Sequence, residues 1–110
     1  MPHYMFQGQY SGAAIRAMVE NPQDREAPAR ALAESMGATL INLWFTFGSD
    51  DIIAIYEAKD DETAAALSML LGASGAFGGG STTKLLSPAQ AVSAMGIAKD
   101  AAPNYKPATD

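Results

Sequence analysis

Residues 44–56, WFTFGSDDIIAIY, hold two adjacent carboxylates, Asp50 and Asp51, between two runs of large apolar side chains. Taken as chemistry, the pair would be a catalytic or cation-binding couple; taken as geometry, it marks the reversal of a β-hairpin. Neighbours on a strand point to opposite faces, and no third oxygen-bearing cluster lies nearby. Glycine, serine and aspartate do supply turn conformations and local hydrogen bonds that larger residues cannot. The hairpin is the stronger reading. It makes strands of residues 38–47 and 52–58, both rich in Ile, Leu and aromatic residues.

Working outward, Tyr4, Phe6, Gly8 and Tyr10 alternate with Met5, Gln7 and Gln9, the period of a half-polar strand. From Ser11 the period changes to that of a helix, and Asn21-Pro22 divides two helical pieces as the cap and first turn of the second. Pro28 predicts a kink or a late start in the second piece, because it lacks an N–H and its ring crowds the preceding turn. After the hairpin, Asp60 or Asp61 caps a helix whose AAALSMLL body is apolar nearly all round. Residues 72–80, GASGAFGGG, predict a flexible connector, and residues 81–86 a last strand. Ser87-Pro88-Ala89-Gln90 matches a capping box and opens a helix to about Met95, with a stop at Gly96. This divides the chain into a domain of residues 1–97 and a tail of residues 98–110. The order strand, helix, strand, strand, helix, strand is the split βαβ, or βαββαβ ferredoxin-like, arrangement: an α+β fold with helices on one face of an antiparallel sheet, here with an added C-terminal helix.

Hairpin parity decides what the sheet must do next. A loop of two or four residues sets Phe47 opposite Ile52, Phe45 opposite Ala54 and Leu43 opposite Tyr56, with Ile41 on the same face. Leu40, Asn42, Trp44 and Thr46 then share the other face with Ile53, Ile55 and Glu57. A sheet covered on one side should show water a polar open face, yet this one shows Trp44 and three aliphatic residues. The economical cover is a second copy of the same sheet, giving an isologous dimer.

Composition narrows the function classes. A 110-residue chain with 48% hydrophobic and 17% charged residues is a single globular domain. Its net charge of -5, with no basic cluster, disfavours nucleic acid as a partner. The absence of cysteine removes thiolate metal sites, disulfides and thiol nucleophiles, and fits a reducing, cytoplasmic setting. His3 is the single histidine, so neither a two-histidine metal site nor a histidine-based triad is expected within one chain. No metal and no cofactor are expected. The N-terminus lacks the pattern of a signal peptide, no run approaches a membrane span, and no membrane partner is expected.

Four segments, MPHYMFQGQYS, ALAESMGATLINLWFTFGSDD, IIAIYEAKDDETAAALSMLLGASG and TTKLLSPAQ, resemble the GYD-domain family of small bacterial proteins. The resemblance spans about residues 1–97 and implies a ferredoxin-like fold related to the dimeric α/β-barrel proteins, and hence a homodimer or higher homo-oligomer. The family takes its name from Gly-x-Tyr-Asp. Here the matching residues are Gly48, Ser49, Asp50 and Asp51, so Asp50 stands in place of the tyrosine.

A cavity between two paired sheets would be lined by His3, Gln7, Asn42, Trp44, Thr46 and Tyr56. Trp44 with Tyr56, Tyr10 and Tyr4 offers aromatic walls for a flat apolar molecule, although packing accounts for buried aromatics equally well. The first expectation is therefore a non-catalytic homo-oligomeric domain that holds a small apolar or aromatic molecule. Proteins of the dimeric α/β-barrel class also include cofactor-independent monooxygenases and isomerases, which offer an alternative: His3 or Tyr56 would move the proton and Asn42 would donate a hydrogen bond. A purely structural assembly subunit is the third. The glycines at 75–80 do not make a phosphate loop, because GGGSTTK lacks the Gly-Lys-Ser/Thr ending and opens a strand.

Overall fold

The computed structural model describes residues 1–109. Its elements are β1 (His3–Tyr10), α1 (Gly12–Glu20), α2 (Glu26–Ser35), β2 (Thr39–Phe45), β3 (Ile52–Glu57), α3 (Asp61–Ala73), β4 (Phe77–Leu85) and α4 (Pro88–Ala101), followed by a 3-10 turn over Ala102–Asn104. The strands form one antiparallel sheet in the order β2-β3-β1-β4. That is the ferredoxin-like α+β arrangement expected from the element order.

Local chemistry accounts for most boundaries. The Ser11 and Asp60 side chains accept from Ala14 N and Thr63 N at 3.2 and 2.9 Å, satisfying orphan donors of α1 and α3. Pro28 falls in the first turn of α2, where a missing N–H removes no helical bond, so α2 starts before it, at Glu26. The helix then closes in a Schellman motif: Gly37 takes φ 74°, its N–H reaches Glu34 O at 3.0 Å, and Ala38 N reaches Ala33 O at 2.9 Å.

One face of the sheet is buried under α2 and α3. Tyr4 and Phe6 of β1, Leu40 of β2, and Ile52 and Tyr56 of β3 pack against Ala33 of α2 and Ala64 and Leu67 of α3. Gly8 and Gly80 face each other across β1 and β4, and the Phe6 ring covers both. A Cβ on Gly8 would lie 2.7 Å from the ring. The edge of Phe6 meets Phe77 with centroids 5.3 Å apart.

Four expectations change. The hairpin loop spans six residues, 46–51, because Phe45, not Phe47, pairs with Ile52. A shift of two residues preserves parity, so Phe45 and Leu43 stay on the face expected for them. A bulge between Leu40 and Asn42 then reverses two neighbours: Leu40 joins Tyr56 in the core at 5% exposure, whereas Ile41 is 44% exposed. The glycines 78–80 belong to β4 and not to a connector: Gly79 and Gly80 pair with Gln9 and Gly8 of β1, and Gly80 lies beneath Phe6. Finally, α4 runs through Gly96 to Ala101, so part of the expected tail is helical.

Helix α4 also decides the shape. The chain extends 60 × 33 × 22 Å with a radius of gyration of 17.9 Å, against about 13 Å for a compact domain of this length. No residue of α4 is buried, and its principal neighbour is the 3-10 turn that follows it. Val92, Met95 and Ile97 are exposed along it. Its first turn relies on Ser87, whose Oγ accepts from Gln90 N at 3.1 Å while Gln90 Oε1 accepts from Ser87 N at 2.8 Å. Ser87→Ala should therefore cost the helix about 1 kcal/mol and lower the helical signal in circular dichroism, since no tertiary packing compensates.

Candidate functional site

The sheet face opposite α2 and α3 carries the residues with unmet contacts. Strand alternation places His3, Met5 and Gln7 of β1 on it, beside Ile53, Ile55 and Glu57 of β3, then Asn42 and Trp44 of β2. Trp44 sits directly across from Ile53 and is 64% exposed. An indole, two isoleucines and a methionine turned outward together form the kind of patch that monomeric proteins seldom leave in water. Polar groups punctuate it. His3 Nε2 lies 3.1 Å from Glu57 Oε1, on paired residues of adjacent strands. Asn42 Oδ1 is buried beside the bulge with no hydrogen-bond partner.

Two of the cavity residues expected from sequence lie elsewhere. Tyr56 points to the opposite face, where its ring stacks on Tyr4 with centroids 5.5 Å apart. The sheet therefore separates it from Asn42 and Trp44, as alternation along β3 requires. Thr46 lies beyond β2 and serves the hairpin loop: its N–H donates to Asp51 O at 2.8 Å and its Oγ1 to Asp50 O at 2.6 Å. The structure thus groups His3, Gln7, Asn42 and Trp44 on one face, without Thr46 and Tyr56.

The two aspartates of the loop act on backbone. Asp51 donates its N–H to Gly8 O at 2.8 Å, and its Oδ2 accepts from Tyr10 N at 2.9 Å, where the register of β1 and β4 shifts. The loop is thereby tied to the end of the central strand. Among the described residues no three His, Cys, Asp or Glu side chains converge as a metal site, and no helix is long and apolar enough to cross a membrane.

The GYD domain matches residues 4–95. The chain belongs to the GYD-domain family. Asp51, next to Asp50, holds the loop to β1. Among solved structures, this GYD domain is similar to one titled as the crystal structure of MtbAldR, with a TM-score of 0.52 and 19% identity. The alignment covers 78% of this chain and 53% of that one, so the GYD domain spans about half the length of its neighbour. At that identity the likeness concerns the fold. Among curated proteins no match is found.

The GYD domain also holds a polar cluster that strand and helix periodicities do not announce. Tyr4 donates to Asp61 Oδ1 at 2.6 Å, and Lys84 Nζ lies 3.0 Å from the same oxygen. These three residues come from β1, α3 and β4, so only the folded topology joins them. The hydrogen bond to Asp61 is the main reason the Tyr4 phenol is pushed from 10.0 up to about 12, which makes it a firm donor at neutral pH and unsuited to act as a base. Tyr4, and next Lys84, hold the Asp61 carboxyl below its usual range.

The signs of these shifts set the pH limits of stability. The Asp61 contribution is present above the ordinary carboxylate range and is lost as pH falls below about 4 through its depressed pKa. The Tyr4 contribution is present below its unfolded value of 10.0 and is lost as pH rises toward about 12. Urea unfolding at stepped pH should show a plateau between these limits, and Tyr4→Phe should reduce the alkaline loss. An alkaline limb of undiminished depth in Tyr4→Phe would assign it to other groups.

Proposed function

We propose that this GYD-domain protein works as a homodimer in which two open sheet faces pair, holding a small, largely apolar molecule between them without transforming it. The observation that carries this reading is Trp44, 64% exposed in the middle of an apolar face whose other side is already covered by α2 and α3. Burial of apolar surface contributes roughly 25 cal/mol per Å2, and an identical sheet supplies matching apolar surface at no cost in new sequence. His3, Gln7 and Asn42 give the shared interior its few polar points. Helix α4, with no packing surface in its own chain, fits a further contact between subunits.

Light scattering at micromolar concentration should give twice the chain mass of 11.5 kDa. Native mass spectrometry of gently purified protein should show an added small mass on that dimer. A monomer would sink the pairing, and a bare dimer would leave assembly as the function.

The His3–Glu57 pair supports a second reading. The imidazole and the carboxylate, 3.1 Å apart, would with Asn42 form a proton-transfer pair for cofactor-independent oxygenation or isomerisation. Oxygen uptake with anthrone- or quinol-like substrates tests it. An equal rate in His3→Gln would remove the pair from any such chemistry.

A further inference from the structure

Strand β4 lies at an edge of the sheet with one neighbour, β1, so the N–H and C=O groups along its other side have no partner among the strands. Such a row is a template for one more strand, and folded proteins usually blunt it with a bulge, a proline or a charge. The opposite edge is blunted in this way, because the bulge between Leu40 and Asn42 falls inside β2. In β4 the register shifts only at its start, beside Gly78, and residues 79–85 pair regularly with β1. That run contains no proline, and its one charge, Lys84, is taken up by Asp61 at 3.0 Å. Helix α3 does not cover the edge either: two adjoining grooves of about 320 and 450 Å3 run between it and β4 and share Ser68 and Thr82.

The unpaired backbone specifies an extended chain as the occupant, and the side chains specify which one. The run is complementary to itself. Laid antiparallel on a second copy about Thr82, it places its longest side chains, Lys84 and Leu85, opposite the partner's Gly80 and Gly79. Ser81 then falls opposite the partner's Thr83, and Thr82 opposite its own counterpart. Hydroxyl pairs of this kind stabilise neighbouring strands, and a long side chain fills the space that a glycine leaves. The two lysines stand four residues apart along the strands, about 14 Å, beyond the ~10 Å over which exposed charges act at 0.1 M salt. Met69 of α3, 73% exposed at the rim of the larger groove, is carried towards the partner's α3.

We propose that β4 pairs with β4 of a second copy across a two-fold axis at Thr82, joining two four-stranded sheets into one of eight strands. This interface is separate from the open sheet face and adds to the dimer proposed above. It is also the weaker of the two. The paired run spans about 24 Å, and sheet and helix layers of about 10 Å each give a height of about 20 Å, or roughly 500 Å2 against the ~800 Å2 that each partner contributes to a stable complex. The pairing should therefore form at millimolar and not at micromolar concentration.

The test uses Trp44→Glu, in which the sheet faces no longer meet. Sedimentation equilibrium should find it monomeric at micromolar and dimeric at millimolar concentration. Ser81 and Thr83 are exposed and the chain has no cysteine of its own, so single cysteines there report the register. Mixed at millimolar concentration under mild oxidation, Ser81→Cys and Thr83→Cys chains of that background should cross-link to each other at least about ten-fold faster than either does to itself, because only the mixed pair meets the Cα spacing of about 5.5 Å that a disulfide needs. A Trp44→Glu monomer at millimolar concentration would overturn self-pairing and leave the edge to an extended segment of another protein. Equal rates for all three pairings would overturn the axis at Thr82. Failure of the sheet-face dimer shows elsewhere, as a parent protein that is monomeric at micromolar concentration, and leaves these outcomes unchanged.

Discussion

Trp44→Glu should convert the protein into a folded monomer. At 64% exposure the indole makes few contacts in its own chain, so its replacement leaves the core of Tyr4, Phe6, Leu40 and Tyr56 untouched. In the proposed dimer the same substitution would bury two carboxylates against Ile53 and its counterpart with no cation to meet them. An unpaired buried charge costs several kcal/mol, so the dissociation constant should rise by at least about 100-fold, or ~2.7 kcal/mol. Sedimentation velocity distinguishes the outcomes, with unfolding by urea as the control. If the variant sediments like the parent, the open face is not where subunits meet.

Phe6→Ala should produce the largest loss of stability. The ring is buried, meets Phe77 edge-on, and fills the space that Gly8 and Gly80 leave on two adjacent strands. Truncation leaves a void bounded by glycines, whose backbones have no side chains to move into it. Large aromatic truncations in cores cost about 3–5 kcal/mol, a large share of the 5–15 kcal/mol that holds a typical domain. Urea unfolding should show a lower midpoint with little change in slope. A loss under about 1 kcal/mol would mean that the neighbouring β4 backbone collapses onto the gap.

These two positions also show how far local pattern determines this fold. Alternation in β1 placed Tyr4, Phe6, Gly8 and Tyr10 on one face, and the hairpin, the Asp60 and Ser87 caps and the element order were legible in the same way, whereas Asn21-Pro22 closes α1 and α2 starts only at Glu26. What local pattern misses depends on partners distant in sequence. The loop opens to six residues because Asp51 bonds to Gly8 and Tyr10, so its length is set by β1 and not by the turn residues. The Leu40–Asn42 bulge inserts one residue and exchanges Leu40 with Ile41, which no parity rule applied to an unbroken strand can foresee. Glycines 78–80 look like a linker until Phe6 is seen lying across Gly80. For the candidate cavity residues, His3, Gln7, Asn42 and Trp44 follow from strand alternation, and the same alternation excludes Tyr56 from their company.

Helix α4 leaves the domain with a conditional element. Its 14 residues are near the length at which isolated helices are only marginally populated in water, and Gly96 at its middle weakens it further. The capping box sets where it begins but cannot hold its far end. Whatever neighbour it finds outside its own chain therefore sets how much of it is formed, and its helicity becomes a gauge of association. Far-ultraviolet dichroism followed through dilution would then report subunit contact from the backbone itself, without a label.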